Sequence, residues 1–526
     1  MSTRSFARVS LRTGVCAVSA ALLVPVTAQA TSFGPGSPGI GDPYYPTYGN
    51  GGYDVSHYAI HDAYDPGTGR LTGRTVITAR ATQGLSRFDL DFLLPVRSVS
   101  VNGRAASGIR QYKVHTPKTS YGGELVVTPK KKIRSGDRMR IVVRYAGKPG
   151  STTVGGFSPW YTTPTGAVVA DEAEASDWWF PANDHPLDKA SYDVSLTVPR
   201  GLKAISNGRQ VATVQHPARQ ATTFRWQERR PMATYLAFAA IGDYDVHRST
   251  TAGGLPVVEA YENGGSSTRA AMDRARSDVS RTAGVVDWLS RQWGPYPFGA
   301  VGGVVPAKDM GYALETQTRP TYGLDFWEGG GSSIYVVVHE NAHQWFGDSV
   351  SVHHWRNIWL NEGFAGFSEW LWSEKHGDGS AQSIFDATYA AHPADDPFWT
   401  IPVANPSPAH LFADPVYDRG AMTLQALRNR IGDPAFFQLM RDWAAGHRYG
   451  NGTTGQFTRL AERISGQDLG AFFRAWLHAK TKPAPTAQNG FPQAGAAALR
   501  PATAPTPASL PEIRRVTAYL SAHRMR

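Results

Sequence analysis

Two histidines four residues apart, with a glutamate directly after the first, are the residues whose spacing most clearly suggests chemistry. His339, Glu340 and His343 lie in the sequence HENAH. On a helix both imidazoles leave the same face one turn apart, which suits two ligands of one tetrahedral zinc ion. Glu340 falls on an adjacent face, within reach of a water on that metal without being a ligand itself. The motif alone also fits a helix whose histidines are only polar surface residues.

A second carboxylate makes the pattern that of a catalytic zinc site. Glu362, in WLNEGFA, follows His343 after eighteen intervening residues, enough for the chain to end one helix, cross a loop and return on a second, antiparallel helix. It would complete a His-His-Glu set and leave the fourth position to water, as in catalytic zinc sites. Zinc lowers the pKa of its water to about 7, and Glu340 would take the proton as general base. We therefore expect one Zn²⁺ per chain.

The elements that must position these residues change type along the chain. Short alternating or β-branched runs fill 53–247 and predict an N-terminal antiparallel β saddle or sandwich domain. Helical periodicity over 248–482 predicts a mostly α-helical domain that carries the zinc motif. One helix is expected over 268–292, and another begins at a capping box formed by Thr453 and Gln456. The fold class is therefore multidomain, with β structure first and helices second.

Two further segments have the composition of connectors. Residues 31–52 are rich in Gly, Pro and Tyr and are expected to form an extended lead-in. Residues 483–526 are rich in Ala, Pro and Thr and are expected to form a flexible C-terminal tail. Within that tail, 513–524 could form a short helix with little to pack against.

The composition narrows the class of protein and the type of metal site. The chain has 526 residues, 41% hydrophobic and 11% aromatic, as expected of a globular protein with sizeable cores. Its net charge of +10 is scattered, so no nucleic-acid partner is expected. Cys16, the one cysteine, lies in the N-terminal segment described next, so any metal must be held by histidines and carboxylates.

The first 30 residues are predicted to be a cleavable signal peptide, with cleavage after Ala30. The alternative, a membrane anchor, is disfavoured because the apolar stretch is short and Pro25 interrupts it. We therefore expect a secreted, extracellular protein without stable membrane insertion. The prediction depends on three features of the sequence, namely arginines at positions 4, 8 and 12, a mostly apolar stretch over 14–26, and a small-x-small site at 28–30.

The motifs HENAHQWFGD and WLNEGFA resemble those of the zinc aminopeptidases of the aminopeptidase N and leukotriene hydrolase family, within the gluzincins. Three other segments, GDPYYPTYGNGGYDVSHYAI, WWFPANDHPLDKASYDVSLTVP and HRYGNGTTGQF, look like further landmarks of the family, so the resemblance covers roughly 40–480. It implies a short, bacterial-type member in which the β domain packs on a thermolysin-like catalytic domain, with the active site in the cleft between them.

The resemblance also implies a residue that binds the substrate amine. Members of the family have a G-A-M-E-N-like strand before the zinc helix, and this chain has YALET there. Tyr312, Leu314 and Thr316 depart from that motif, whereas Glu315 is retained. Glu315 is therefore expected to bind the free α-ammonium of a peptide, while the backbone beside it pairs with the peptide as an added strand.

Two more roles follow from family motifs. Counting back from FPAND (180–184) favours Glu172 as a second amine-binding carboxylate, with Glu174 as the competing position. DPVYDRG (414–420) resembles the family's Tyr-x-Lys-Gly with Arg for Lys, so Tyr417 is expected to donate a hydrogen bond to the carbonyl oxygen as it becomes tetrahedral.

These expectations together describe a secreted zinc aminopeptidase that hydrolyses the N-terminal bond of peptides with a free N-terminus. The two anionic side chains would favour a free ammonium one residue from the metal and so convert a general peptidase site into one for an exopeptidase. The alternatives are a zinc endopeptidase and, in a different class, an inactive secreted binding protein on the same scaffold. A monomer is favoured as the oligomeric state.

Overall fold

The computed structural model describes residues 1–2, 32–116, 120–492 and 506–523. The predicted signal peptide lies outside the described residues except at its first two positions. No helix within the described ranges is both long and apolar enough to cross a membrane.

The N-terminal part is built of strands. They are β1 Gly34–Pro35, β2 Tyr53–Asp65, β3 Arg70–Ala81, β4 Leu85–Asp91, β5 Val96–Val101, β6 Arg104–Ala105, β7 Gly108–Thr116, β8 Ser120–Thr128, β9 Arg138–Gly147, β10 Trp160–Thr162, β11 Ala167–Val169, β12 Ala190–Pro199, β13 Lys203–Ser206, β14 Arg209–His216, β15 Ala221–Met232 and β16 Ala239–Gly242. Among the described residues these strands form three sheets. The largest has eight strands in the order β14-β15-β12-β2-β3-β9-β5-β6, and the other two have the orders β1-β4-β8-β7 and β10-β11-β16-β13.

Alternation of buried and partly exposed side chains explains these strands. In β12 every second residue is buried, as expected for a strand with one face on a core. Most pairs are antiparallel, as predicted, although β12 pairs with β2 in parallel. The β-rich N-terminal domain of the predicted fold class is thus confirmed.

The second part contains seven described strands and the helices. Its strands are β17 Tyr244–Thr250, β18 Pro256–Glu262, β19 Val301–Val305, β20 Ala313–Leu314, β21 Thr321–Tyr322, β22 Ser351–Val352 and β23 Asn451–Gly452. They form a five-stranded sheet, β17-β18-β19-β21-β20, and a small pair, β22-β23. Its helices are α1 Arg269–Val279, α2 Thr282–Trp293, α3 Ile334–Ala342, α4 Trp359–His376, α5 Ala381–Ala391, α6 Asp414–Ile431, α7 Asp433–Gly446, α8 Thr454–Ser465, α9 Gly470–Phe473 and α10 Leu510–His523.

The change from the first part to the second comes slightly earlier than the expected 247/248 boundary. Strand β17 spans that boundary, and it pairs with β18 of the five-stranded sheet along its whole length. The alternating pattern up to Val246 identified a strand correctly but could not show which sheet the strand joins, because pairing partners depend on contacts distant in sequence.

The expected flexible tail needs a correction. Leu510–His523 form helix α10, which contacts both α3 and α6. Its buried residues Leu510, Ile513, Val516 and Leu520 fall on one helical face. The apolar face packs against other helices, so this segment is part of the helical domain.

Candidate metal centre

Helix α3 presents the two histidines and the glutamate between them. His339 and Glu340 lie in its last turns, and His343 directly follows its end. All three side chains are buried, and the ring centroids of His339 and His343 are 4.7 Å apart. The stretch Val336–Val338 before them is fully buried, so the helix is anchored by packing while its end faces the site.

Helix α4 brings the predicted third ligand to the same place. Glu362 Oε2 lies 3.2 Å from His339 Nε2 and 3.4 Å from His343 Nε2. A tetrahedral zinc with ligands at about 2.0–2.1 Å holds adjacent donor atoms roughly 3.3 Å apart. The observed separations therefore fit one zinc ion on these three residues.

The outer nitrogen of each histidine fixes its tautomer. His339 Nδ1 donates to Glu369 Oε1 at 2.6 Å, and His343 Nδ1 donates to the Phe346 carbonyl oxygen at 3.0 Å. Each ring therefore keeps its Nε2 lone pair for a metal, the arrangement that carboxylates and carbonyls impose on zinc-bound histidines. The sequence reasoning missed Glu369, which lies seven residues after Glu362 on the same helix.

Electrostatic interactions link the three side chains. Burial lowers the pKa of His339, but its hydrogen bonds to Glu362 and Glu369 outweigh burial and raise the pKa to about 9. For Glu362 burial acts in the opposite direction, and the two histidines bring its pKa below the usual range. The carboxylate and the imidazoles thus lie close enough to shift each other's pKa, and the same donor atoms can bind a divalent cation in place of protons.

Glu315 joins the site from the strand side. It follows β20, and its ligand oxygen belongs to a second close group with Glu340 and His343, within 4.8 Å of one another. Tyr235 donates its phenol hydrogen to Glu315 Oε1 at 3.3 Å. Gln344 Nε2 donates to the Glu315 carbonyl oxygen at 3.0 Å, which ties this strand to the residue after His343. The role of Gln344 was also missed, because no spacing distinguishes it.

The two competing carboxylates of the β domain face different surroundings. Burial raises the pKa of Tyr235, and the charges of Glu315 and then Glu172 raise it further, so both carboxylates act on the same phenol. Glu174 instead lines a small cavity together with Glu124 and Asp177. The charge of Glu172 thus reaches the phenol that donates to Glu315, and the choice of Glu172 over Glu174 as the amine-binding residue stays a prediction.

Tyr312, one of the departures from the family motif, connects these segments. Its hydroxyl donates to the Ala170 carbonyl oxygen at 2.6 Å. Ala170 lies two residues before Glu172, and Tyr312 lies three before Glu315. The tyrosine thus links the two chain segments that carry the candidate amine-binding carboxylates.

Tyr417 reaches the site from α6. It is buried, and its ring centroid lies 6.0 Å from that of His339. A close contact between α4 and α6 sets this position, because a Cβ placed on Gly363 would be 2.8 Å from Gly420 Cα. Gly363 directly follows Glu362, and Gly420 lies three residues after Tyr417. Their contact therefore brings the candidate third ligand and the tyrosine together.

Arg419, which stands where the family motif has lysine, has a structural role. It is buried and donates to the carbonyl oxygens of Trp399, Ile401, Ala475 and Ala479. Burial lowers its pKa to about 10. A planar guanidinium can satisfy four carbonyls at once, so it holds the start of α6 in place.

The fold and site together define a zinc-peptidase-type hydrolase, with an HExxH helix and a distant glutamate ligand. Two domains of one family match the chain, the Peptidase family M1 domain over 331–476 and the Peptidase M1 N-terminal domain over 55–236. The chain belongs to peptidase family M1, and a zinc cofactor follows from that membership and from the ligand geometry.

The solved structures of similar proteins include an M1 zinc metallopeptidase from Deinococcus radiodurans, with a TM-score of 0.72 and 27% identity over 85% of this chain and 99% of that one. A mutant of that peptidase was solved bound to a Tyr-Ser-Ala substrate. Among curated relatives, Aminopeptidase M1-C of Oryza sativa subsp. japonica is 26% identical over 62% of this chain, and human Endoplasmic reticulum aminopeptidase 1 is 30% identical over 59%. The chain spans 37% and 35% of the lengths of these two relatives.

Proposed function

We propose that this protein is a secreted zinc-dependent aminopeptidase that removes one residue from the free N-terminus of a peptide. The observation that carries the proposal is the position of Glu315, whose carboxylate lies within 4.8 Å of the ligand atoms of Glu340 and His343. An anionic side chain this close to the metal ligands favours an ammonium group one residue from the bond to be cut. Glu172, which acts on the same Tyr235 phenol, would be the second anion.

Each remaining side chain has a distinct task in the proposed reaction. His339, His343 and Glu362 would hold the zinc, which as a Lewis acid polarises the scissile carbonyl and lowers the pKa of water. Glu340 would accept the proton of the attacking water and pass it to the leaving amine. Tyr417 would donate a hydrogen bond to the carbonyl oxygen as negative charge develops there.

One comparison of substrates separates this proposal from the endopeptidase alternative. The same peptide is offered with a free and with an N-acetylated N-terminus, and the products are identified by mass spectrometry. An aminopeptidase releases single residues from the free peptide and leaves the acetylated one intact. Internal cleavage of both peptides at similar rates would instead establish an endopeptidase.

The base and the metal are tested together with Glu340→Gln. This variant should retain one zinc per chain, measured by elemental analysis, while turnover falls to the assay background. Normal turnover in Glu340→Gln would overturn the assignment of the base. Wild-type protein that contains zinc yet hydrolyses no peptide would support the inactive binding protein instead.

Export is a separate part of the proposal. It depends on the arginine-led apolar stretch that ends in the small-x-small site at Ala30. We expect the full-length chain, expressed in a bacterium that exports proteins, to be found outside the cytoplasm with Thr31 as its first residue. N-terminal sequencing of the mature protein checks this, and an intact N-terminus in a cytoplasmic fraction would refute it.

A further inference from the structure

Away from the metal centre, acidic side chains gather where β4 pairs with β8. Asp91 and Glu124 are directly paired across these strands. Glu174, Asp177 and Asp184 come to the same place from the segment that also carries Glu172. All five side chains are at least nine-tenths buried. They line a small cavity of about 10 Å³ for the centre of a water-sized sphere, which is about the room that one water or one ion needs.

No cationic side chain balances this charge at the cavity. Its described lining contains no lysine, arginine or histidine. Burial raises the pKa of Glu124 to about 10, and the charges of Asp91, Asp89 and Asp177 add to the effect. Buried carboxylates of one sign are costly unless protons or a cation compensate them.

Several oxygens at the cavity have no hydrogen-bond donor. Within the described part of the chain, Glu124 Oε2, Glu174 Oε2 and Asp177 Oδ1 accept no hydrogen bond although all three are buried. The hydroxyl of Thr47, which also lines the cavity, has no partner there either. By contrast, Asp91 Oδ2 accepts hydrogen bonds from Asn50 Nδ2 and from the Asp184 amide. Unsatisfied oxygens therefore surround one small space, as a cation site requires.

The backbone around the cavity leaves room for these oxygens. A Cβ on Gly122 would lie 2.7 Å from Asp177 Oδ2. The φ angle of Gly122 is +153°, which residues with a side chain rarely adopt. The neighbouring Gly123 amide donates to the same Asp177 oxygen at 3.1 Å. Glycine at 122 thus allows β8 to approach the Asp177 carboxylate closely.

We propose that this cavity binds a hard divalent cation, with Ca²⁺ preferred, as a second metal site distinct from the zinc centre. The available ligands are oxygens only, which calcium prefers and zinc does not. Among the described residues, no three of these acidic groups bring ligand atoms within 4.8 Å of one another, unlike the zinc ligands. Calcium holds its ligand oxygens at about 2.3–2.6 Å, so two oxygens on opposite sides of the ion can lie about 5 Å apart.

The proposed cation would connect the segment that carries Glu172 to the sheet that contains β4 and β8. Asp91 and Glu124 belong to a sheet, whereas Glu174 and Asp177 follow Glu172 by two and five residues. Neutralising their repulsion would fix the turn that holds Glu172. This consequence depends on the proposed function, since it assumes that Glu172 binds the substrate amine.

The cation is tested on the full-length protein with its zinc retained. The protein is desalted into buffer freed of calcium, and zinc and calcium are counted by elemental analysis before and after addition of CaCl₂. We expect one calcium per chain in addition to the zinc, and a melting temperature that rises with calcium concentration. Tb³⁺, a luminescent substitute for Ca²⁺, should give emission sensitised by tryptophan, because Trp178 and Trp179 directly follow Asp177. Added Ca²⁺ should remove that emission.

Variants locate the ion. Glu124→Gln and Asp177→Asn should each reduce the Tb³⁺ signal at least tenfold, whereas Asp62→Asn, which changes a buried aspartate elsewhere in the β domain, should leave it unchanged. Wild-type protein without calcium, terbium emission or a calcium-dependent melting temperature would overturn the proposal, and the carboxyl groups would then be protonated. If calcium binds but leaves KM for free peptides unchanged, the site stands and its link to Glu172 is refuted.

Discussion

At the scale of single residues, each histidine of the candidate metal centre directs one ring nitrogen towards Glu362 and the other towards a second protein partner. His339 has the stronger partner, since a carboxylate hydrogen bond of 2.6 Å raises the basicity of the ring more than the carbonyl that His343 contacts. Glu369 should therefore contribute to metal affinity without being a ligand. Such outer partners orient the ligand and select its tautomer.

We predict that Glu369→Gln lowers zinc affinity by about 10–100-fold, the range found when outer partners of zinc ligands are removed. Competition against a chromogenic chelator measures the affinity. Glu374→Gln is the control, because it makes the same change on an exposed face of α4. Equal affinities in Glu369→Gln and wild type would show that the hydrogen bond only positions the ring.

Tyr417 allows a test of transition-state stabilisation. Its hydroxyl is the one group that Tyr417→Phe removes, while the ring that lies 6.0 Å from His339 remains. If the hydroxyl binds the developing negative charge, kcat should fall by about 10²–10³-fold, with KM changed little. Steady-state kinetics with an aminoacyl anilide measure both values. A change confined to KM would instead assign Tyr417 to substrate binding.

The sequence allowed the candidate metal ligands to be predicted because their signals are local. His339 and His343 are one helical turn apart, and Glu362 lies in a recognisable motif. Glu369 and Gln344 could not be found in this way, because a glutamate or a glutamine on a helix has many uses. Their roles depend on which residue faces them in the folded structure.

At the scale of secondary-structure elements, the contact of α4 with α6 determines how Glu362 and Tyr417 lie relative to each other. The two helices touch through Gly363 and Gly420, where the backbones come too close for any side chain. Glycine is unfavourable inside a helix by roughly 1 kcal/mol relative to alanine, so its use at both positions indicates a steric requirement.

We predict that Gly363→Ala lowers both stability and kcat, because the added methyl would lie 2.8 Å from Gly420 Cα and must push α6 away. The matched control is Gly366→Ala, one turn further along α4, where the nearest atom to the new Cβ is 3.7 Å away. The control should be neutral or stabilising by up to about 1 kcal/mol. Thermal unfolding and kcat of both variants check this, and equal behaviour of the two would refute the steric argument.

A secondary-structure element could be predicted where the residues that define its start or end are close together in the sequence. The capping box at Thr453 and Gln456 is present and starts α8, as predicted. The single helix expected over 268–292 is instead two helices, α1 and α2, interrupted at Ser280 and Arg281. The apolar spacing continues across this break, so periodicity alone could not reveal it.

The tail shows a related limit of composition. The amino-acid composition of 483–526 is dominated by Ala, Pro and Thr. An average over the whole segment therefore does not reveal the apolar face of α10. The partners of that face, α3 and α6, lie far away in sequence. Only the assembled helical domain explains why this segment is ordered.

At the scale of the whole molecule, Lys189 connects the β domain to the segment that follows helix α3 in the sequence. Its ammonium group donates to the carbonyl oxygens of Asp348, Ser349 and Gly450. Burial lowers its pKa to about 7, although the charge of Asp348 acts in the opposite direction. The unfolded chain keeps this lysine protonated up to its ordinary pKa near 10.4. Between these two values the unfolded state binds more protons, so the contribution of Lys189 to stability rises with pH.

We therefore predict that wild-type protein gains stability relative to Lys189→Met as the pH rises from 7 to 10, by up to about 1.4 kcal/mol per pH unit. Denaturant unfolding at several pH values measures the difference between the two proteins. Lys203→Met, which changes an exposed lysine of the same domain, should run parallel to wild type. Parallel curves for Lys189→Met as well would mean that Lys189 keeps an ordinary pKa.

Helix α10 contacts helices that carry candidate site residues. Glu512 accepts from the Tyr335 amide at the start of α3, at 3.4 Å, and Arg515 donates to the Ser332 carbonyl oxygen at 2.7 Å. Helix α10 therefore closes the N-terminal end of the zinc helix, where free amide groups favour a carboxylate. It also packs on α6, which carries Tyr417.

We expect Val516→Asp to detach α10 by placing a charge in a fully buried position, and so to lower both the melting temperature and kcat. Ala518→Asp makes the same change on the exposed face of the same helix and should leave both values near those of wild type. The kinetic assay is run well below the melting temperature of either variant, so that loss of folded protein does not imitate loss of turnover. If Val516→Asp lowers the melting temperature but not kcat, α10 stabilises the domain without positioning the zinc helix. If it changes neither value, the helix does not pack on the domain in solution.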